Sequence, residues 1–127
     1  MDKKKDIRNF LKAIRRALPD AAAKTDEIMR GRGFDSDEEP EYIWVEAFAD
    51  VTNMFIRQRN QAELRKEFLF FSNQLDRGSQ TVKNCIDVSY AENLMWDLTS
   101  EDRKWVWSQI PENLKKCYTA MWGNPDF

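Results

Sequence analysis

Between Trp44 and Phe55 the apolar residues recur at helical intervals. Trp44, Ala47, Phe48, Val51, Met54 and Phe55 share one side of a 3.6-residue turn, and Glu46 and Asp50 fall on the other. A stripe this rich in aromatic and aliphatic residues must be covered by neighbouring elements, so it predicts the central helix of a packed domain. The same period recurs along the chain. Ile7, Phe10, Leu11, Ile14 and Leu18 form one stripe, and Leu64, Phe68, Phe71 and Leu75 form another, widened by Leu69 and Phe70. Val82, Cys85, Ile86, Tyr90, Leu94 and Leu98 form a third, with Leu114, Cys117, Tyr118 and Met121 following. Four Gly and four Pro leave little material for the turns of an all-β fold. At 127 residues the chain has enough surface to bury for a core without a metal or disulfide staple. The expectation is an all-α, single compact domain of about six or seven helices packed as antiparallel pairs.

The breakers set the boundaries. Pro19 ends the first helix and starts a short Ala-rich second one over 20–30, with Ile28 and Met29 as its anchors and Gly31 as a left-handed cap. Pro40 suits the first position of the third helix, which runs to about residue 59. A fourth helix covers 61–77 and stops at Gly78, and a fifth covers 79–98 with Asn93 as a buried polar residue. The run T-S-E-D (99–102) reads as a helix cap before Trp105, Val106 and Trp107. Pro111 opens a last helix that ends at Trp122 and Gly123. The chain divides into a basic helical hairpin (1–33), an acidic loop (34–39) that begins with Phe34 folded back as a plug, and a helical core (40–122).

The net charge of −2 conceals a segregation. Residues 1–34 carry ten Lys/Arg against five Asp/Glu, whereas residues 35–56 carry seven acids and no base. Those acids are Asp35, Asp37, Glu38, Glu39, Glu41, Glu46 and Asp50. Some of them stabilise the helix start through its dipole, but they outnumber what a cap needs. Five fall at the ligand spacing of a calcium loop (Asp35, Asp37, Glu39, Glu41, Glu46), yet Pro40 occupies the place where that loop requires Gly. The run is therefore read as an acidic face for a protein partner with a basic surface, not as a metal site.

Most chemistry is argued against by residue type. Histidine is absent, which removes the commonest general base and zinc ligand. Cys85 and Cys117 lack metal-ligand spacing and are read as free thiols. No phosphate-binding glycine motif is present. Glu46 and Asp50, one helical turn apart, leave a carboxylate hydrolase as the weaker alternative. No cofactor, metal, nucleic acid or membrane partner is expected, because no apolar run reaches spanning length and the basic N-terminal helix has no second basic segment beside it. The first eighteen residues lack the apolar stretch of a cleaved presequence, so the chain is read as cytoplasmic. Of five tryptophans, Trp44 and Trp96 are expected to fill the core. Trp105 and Trp107 point in different directions on any helix and are candidate aromatic anchors at an interface.

Three stretches, Y-I-W-V-E-A-F-A-D-V-T-N (42–53), V-K-N-C-I-D-V-S-Y-A-E-N-L (82–94) and P-E-N-L-K-K-C-Y (111–118), together resemble a family of small, all-helical bacterial domains without an assigned activity. The resemblance implies a helical bacterial domain and brings no catalytic residues with it. In size, acidity and lack of chemistry the chain is analogous to immunity proteins of bacterial toxin systems. The expected function is non-enzymatic protein binding, most concretely neutralisation of a cognate toxin, with an adaptor or regulatory domain as the alternative.

Overall fold

A computed structural model describes residues 3–34 and 40–125. The helices are α1 (Lys3–Ala17), α2 (Pro19–Gly31), α3 (Glu41–Arg57), α4 (Gln61–Arg77), α5 (Gln80–Cys85), α6 (Ser100–Trp107) and α7 (Glu112–Trp122). A π-helical turn (Ile86–Tyr90) and a 3₁₀ turn (Ala91–Asn93) follow α5, and no strand occurs among the described residues. The all-α fold read from the apolar periods is therefore the fold observed.

Helix α3 is the axis. Ten of its residues are buried, including Trp44, Phe48, Val51 and Phe55 on the predicted stripe and Val45, Ala49, Thr52 and Ile56 beside it. It packs against α1, α2, α4, α6 and both turns after α5. An aromatic seam crosses the core from Phe10 through Phe71 to Tyr90, whose rings stack at 3.9 Å and 11°. Phe48 leans on both Phe71 and Tyr90, and Trp44 on Phe48. Offset and edge contacts of this kind add to the area the rings bury.

Asp26 ties the first three helices together. Both of its carboxylate oxygens accept from Arg15, at 2.7 and 3.0 Å, and one also accepts from the Trp44 indole at 3.0 Å. The Arg15 guanidinium covers the Trp44 ring at 4.8 Å. The Arg15 bonds hold the Asp26 carboxyl below its usual range, against an opposing push from partial burial.

Side-chain caps start three helices. Asn60 accepts from the Glu63 amide, Ser79 from Val82 and Thr99 from Asp102, the last being the cap read from T-S-E-D. Pro40 sits one place earlier than expected, as the N-cap of α3. Helix α2 continues through Gly31, and the left-handed residue is Gly33 at φ 91°. Gly78 is extended, but a Cβ there would lie 2.5 Å from the Gln74 carbonyl oxygen, which already accepts the Gly78 amide at 2.7 Å. Gly78→Ala is expected to cost about 1–3 kcal/mol in urea unfolding, because backbone must move to admit the methyl.

The helix expected over 79–98 is not continuous. It widens at Ile86 into the π turn, tightens into the 3₁₀ turn and then leaves helical geometry at Leu94. Met95 and Asp97 adopt left-handed φ of 65° and 58°. The cause is Asn53 of α3. Its side-chain oxygen accepts the Met95 amide at 2.7 Å, and its side-chain nitrogen donates to the Asn93 carbonyl at 2.9 Å. These bonds take up the backbone groups that a continued helix would pair with itself. Asn93, expected as the buried polar residue, is half-buried and donates back to the Ser89 carbonyl.

Three apolar residues assigned to inner faces are exposed: Leu69 at 63%, Met121 at 45% and Trp96 at 60%. Phe34 does fold back, half-buried against the core, with its amide on the Met29 carbonyl. The rest of the acidic loop, 35–39, lies outside the described residues.

Candidate functional site

The break after the 3₁₀ turn creates the most distinctive surface of the molecule. Trp96, flanked by left-handed Met95 and Asp97, projects to solvent beside Trp122 at the end of α7. The indole rings stand 6.0 Å apart at 40°, and Trp122 is 48% exposed. The Trp122 indole N–H donates to the Glu92 carbonyl at 2.9 Å, which fixes that ring against the 3₁₀ turn. Left-handed backbone at residues other than Gly is costly and persists where neighbours over-determine it. Here the Asn53 bonds and the buried side chains of Leu94 and Met95 do so.

A hollow of about 350 Å³ opens beside the two rings, with Glu92, Arg103 and Tyr118 among its walls. Elsewhere on the same side chain, the Arg103 Nε is covered and has no hydrogen-bond partner. Trp96 also borders a second hollow, about 290 Å³, together with Arg32, Asp50, Arg57 and Asp97. Two exposed indoles among arginines are the composition of an interface anchor.

The residues singled out in the sequence are distributed differently. Asp35, Asp37, Glu38 and Glu39 lie outside the described residues. Glu41 is half-buried in the first turn of α3, and Glu46 is exposed. Asp50 is half-buried and pairs with Arg32 from the end of α2 at 2.7 Å, so a base distant in sequence compensates one of the seven acids. Trp105 is half-buried under the Arg59 guanidinium at 4.6 Å, and Arg59 also pairs with Asp102 at 2.7 Å. Trp107 is half-buried against Tyr118, with the Lys115 ammonium 5.1 Å from its ring. Trp96, expected in the core, is instead the most exposed tryptophan. The core expectation rests on the bulk of its ring, since Trp96 stands off the stripe of Tyr90, Leu94 and Leu98, and the loop after the 3₁₀ turn carries it to solvent.

The molecule's one fully buried carboxyl among the described residues was not singled out. Glu67 of α4 is 0% exposed, and neither carboxyl oxygen makes a hydrogen bond of ordinary geometry. Burial pushes its pKa up to about 8, with the Thr52 hydroxyl opposing the shift and Glu63 adding to it. Thr52 and Tyr90 share a hydrogen bond at 3.1 Å nearby, and the Tyr90 hydroxyl is raised well above its ordinary range by burial and by Glu67. A signal was present, since Glu67 sits three residues after Leu64 and four before Phe71, within the buried stripe of α4.

Both cysteines are free thiols. Burial pushes the Cys85 thiol up to about 12 and raises Cys117, which is the reverse of what a nucleophilic cysteine needs. Among the described residues no group of three or more acids and cysteines is arranged to hold a metal ion. No helix among them is long and apolar enough to cross a membrane.

Fold and surface together define an all-helical domain whose distinctive feature is an aromatic, arginine-flanked face. Residues 11–123 match the family described as Domain of unknown function (DUF7674), and the chain belongs to that family. No curated protein and no solved structure matches it.

Proposed function

We propose that the chain is a non-enzymatic protein-binding domain that engages its partner through the face of Trp96 and Trp122. The observation that carries this reading is the side-by-side exposure of Trp122, at the end of α7, and Trp96, on a loop whose left-handed residues are held by a buried asparagine. Placing large apolar rings in water is unfavourable, and a partner that covers them recovers that cost. Rigid indoles also lose little conformational freedom on binding.

The test is capture of the partner from the source cells by tagged wild-type protein and by two variants. Trp96→Ala is expected to weaken the complex at least about tenfold, the scale of an interface hot spot. Leu69→Ala, which removes an exposed apolar residue from α4, is expected to leave it unchanged. Equal binding by Trp96→Ala and wild type would overturn the reading.

A more particular form is inhibition of a toxin through the acids of the 35–50 region, with exposed Glu46 as its support in the described residues. That form predicts a salt-weakened complex, and reversal of Glu39, Glu46 and Asp50 to Lys would abolish protection. An adaptor that binds through the tryptophan face keeps its partner after those reversals.

A further inference from the structure

We infer that Trp96 and Asp97 together receive an arginine side chain of the partner, stacked on the indole and bonded to the carboxylate. The inference rests on the protein-binding reading above and deepens it. It comes from a pattern that the molecule repeats on three other tryptophans. Trp44 is covered by Arg15, Trp105 by Arg59 and Trp107 by Lys115, at 4.8, 4.6 and 5.1 Å from the ring centres. Each of those cations is also held by a carboxylate: Asp26 at 2.7 Å, Asp102 at 2.7 Å and Glu112 at 3.5 Å. A cation over an indole face is attracted by the ring quadrupole, and the carboxylate fixes its position.

Trp96 has the ring and the carboxylate but lacks the cation. It is the most exposed tryptophan, and no Lys or Arg among the described residues lies over it. Asp97, the next residue, is exposed, borders the same hollow and makes no ion pair among the described residues. The other acid there, Asp50, is already satisfied by Arg32 at 2.7 Å. Arg57 borders the hollow too, yet it neither pairs with Asp97 nor covers Trp96. The charge left open beside the bare ring on the loop itself is therefore negative, and it calls for a cation from outside. Arginine fits better than lysine, because a planar guanidinium stacks on a ring while its edge donates two bonds to a carboxylate. Arg15 does this within the fold, since two of its nitrogens donate to Asp26 while the guanidinium covers Trp44.

The probes are the N-acetyl, N-methylamide derivatives of arginine, citrulline and glutamate, titrated into ¹⁵N-labelled protein while the Trp96 indole N–H signal is followed. Citrulline keeps the shape of arginine without its charge. The arginine probe is expected to bind about fivefold more tightly than citrulline, the scale of one exposed cation–π contact joined to an ion pair. Asp97→Asn is expected to reduce that ratio to about twofold or less, which is what the ring alone supplies. Asparagine tolerates the left-handed φ of 58° at this position, so the variant keeps the loop. Equal binding of the arginine and citrulline probes, or no shift of the Trp96 signal with either, would overturn the inference. So would an unchanged ratio in Asp97→Asn, or tighter binding of the glutamate probe, which would assign the hollow to Arg57. The capture experiment with Trp96→Ala judges the tryptophan face independently, so failure of the arginine assignment and failure of the face are distinguishable.

Discussion

Glu67→Gln is expected to stabilise the protein by about 4 kcal/mol at pH 8 and by almost nothing at pH 4, read as the difference between the urea-unfolding free energies of variant and wild type. The carboxyl of Glu67 is fully buried without a hydrogen-bond partner, and its pKa rises from an ordinary 4.5 to about 8 because burial penalises the charged form. The sign follows directly. Below about pH 4.5 the carboxyl is protonated in both folded and unfolded chains and costs nothing extra. Between 4.5 and 8 the unfolded chain releases the proton and the folded chain keeps it, so stability falls by about 1.4 kcal/mol per pH unit at most. Above pH 8 the folded state carries a buried charge and the loss levels off. Asp26, whose pKa is lowered, contributes in the opposite sense at acid pH. The wild-type curve alone therefore mixes the two effects, and the difference curve isolates Glu67. Parallel pH profiles for wild type and Glu67→Gln would show that the carboxyl is solvated or paired in solution.

Asn53→Ala is expected to destabilise the domain by about 2–4 kcal/mol and to release the loop that carries Trp96. Asn53 is 2% exposed, and it supplies both the acceptor for the Met95 amide and the donor for the Asn93 carbonyl. Its removal leaves two backbone groups without partners where water has little access. The left-handed conformations of Met95 and Asp97 then lose the contact that enforces them. Amide hydrogen exchange separates this from general weakening. In wild type the Met95 amide is expected to be among the protected sites, and in Asn53→Ala its protection should fall further than that of amides in the middle of α4. A uniform loss across α4 and the 94–98 loop would mean that Asn53 contributes to global stability without holding the loop in particular.

The parts of the fold legible in the sequence are those governed by local period and local caps. Ile7, Phe10, Leu11, Ile14 and Leu18 are all buried as their spacing requires, and α4 begins and ends where Gln61 and Gly78 place it. Thr99 caps α6 because its hydroxyl needs only the amide three residues on. What the sequence did not disclose depends on contacts far along the chain. The departure from helix at Leu94 is held by Asn53, forty residues from Asn93, and no local pattern reports it. The core expectation for Trp96 rests on the bulk of its ring, and its exposure is set by the loop that Asn53 holds. Asp50 looks uncompensated in sequence because Arg32 approaches it from a different helix.

The candidate site was legible only in its residue types. Tryptophan surplus pointed to an aromatic anchor, yet which tryptophans face water is decided by the loop and by Arg59, Lys115 and Tyr118 packing over Trp105 and Trp107. Arg103 carried no signal, since an arginine in a capped helix reads as solvated until the walls around it are known. Glu67 is different in kind. Its position among Leu64, Phe68 and Phe71 was readable, and a carboxylate inside an apolar stripe is a marker worth taking from sequence alone.

Hydrogen–deuterium exchange of the protein with and without its captured partner locates the binding face directly. Binding through the tryptophan face predicts new protection concentrated at residues 92–98 and 119–123, with α1 and the exposed side of α3 around Glu46 unchanged. Protection centred on 41–50, with Trp96 and Trp122 as free as before, would contradict it.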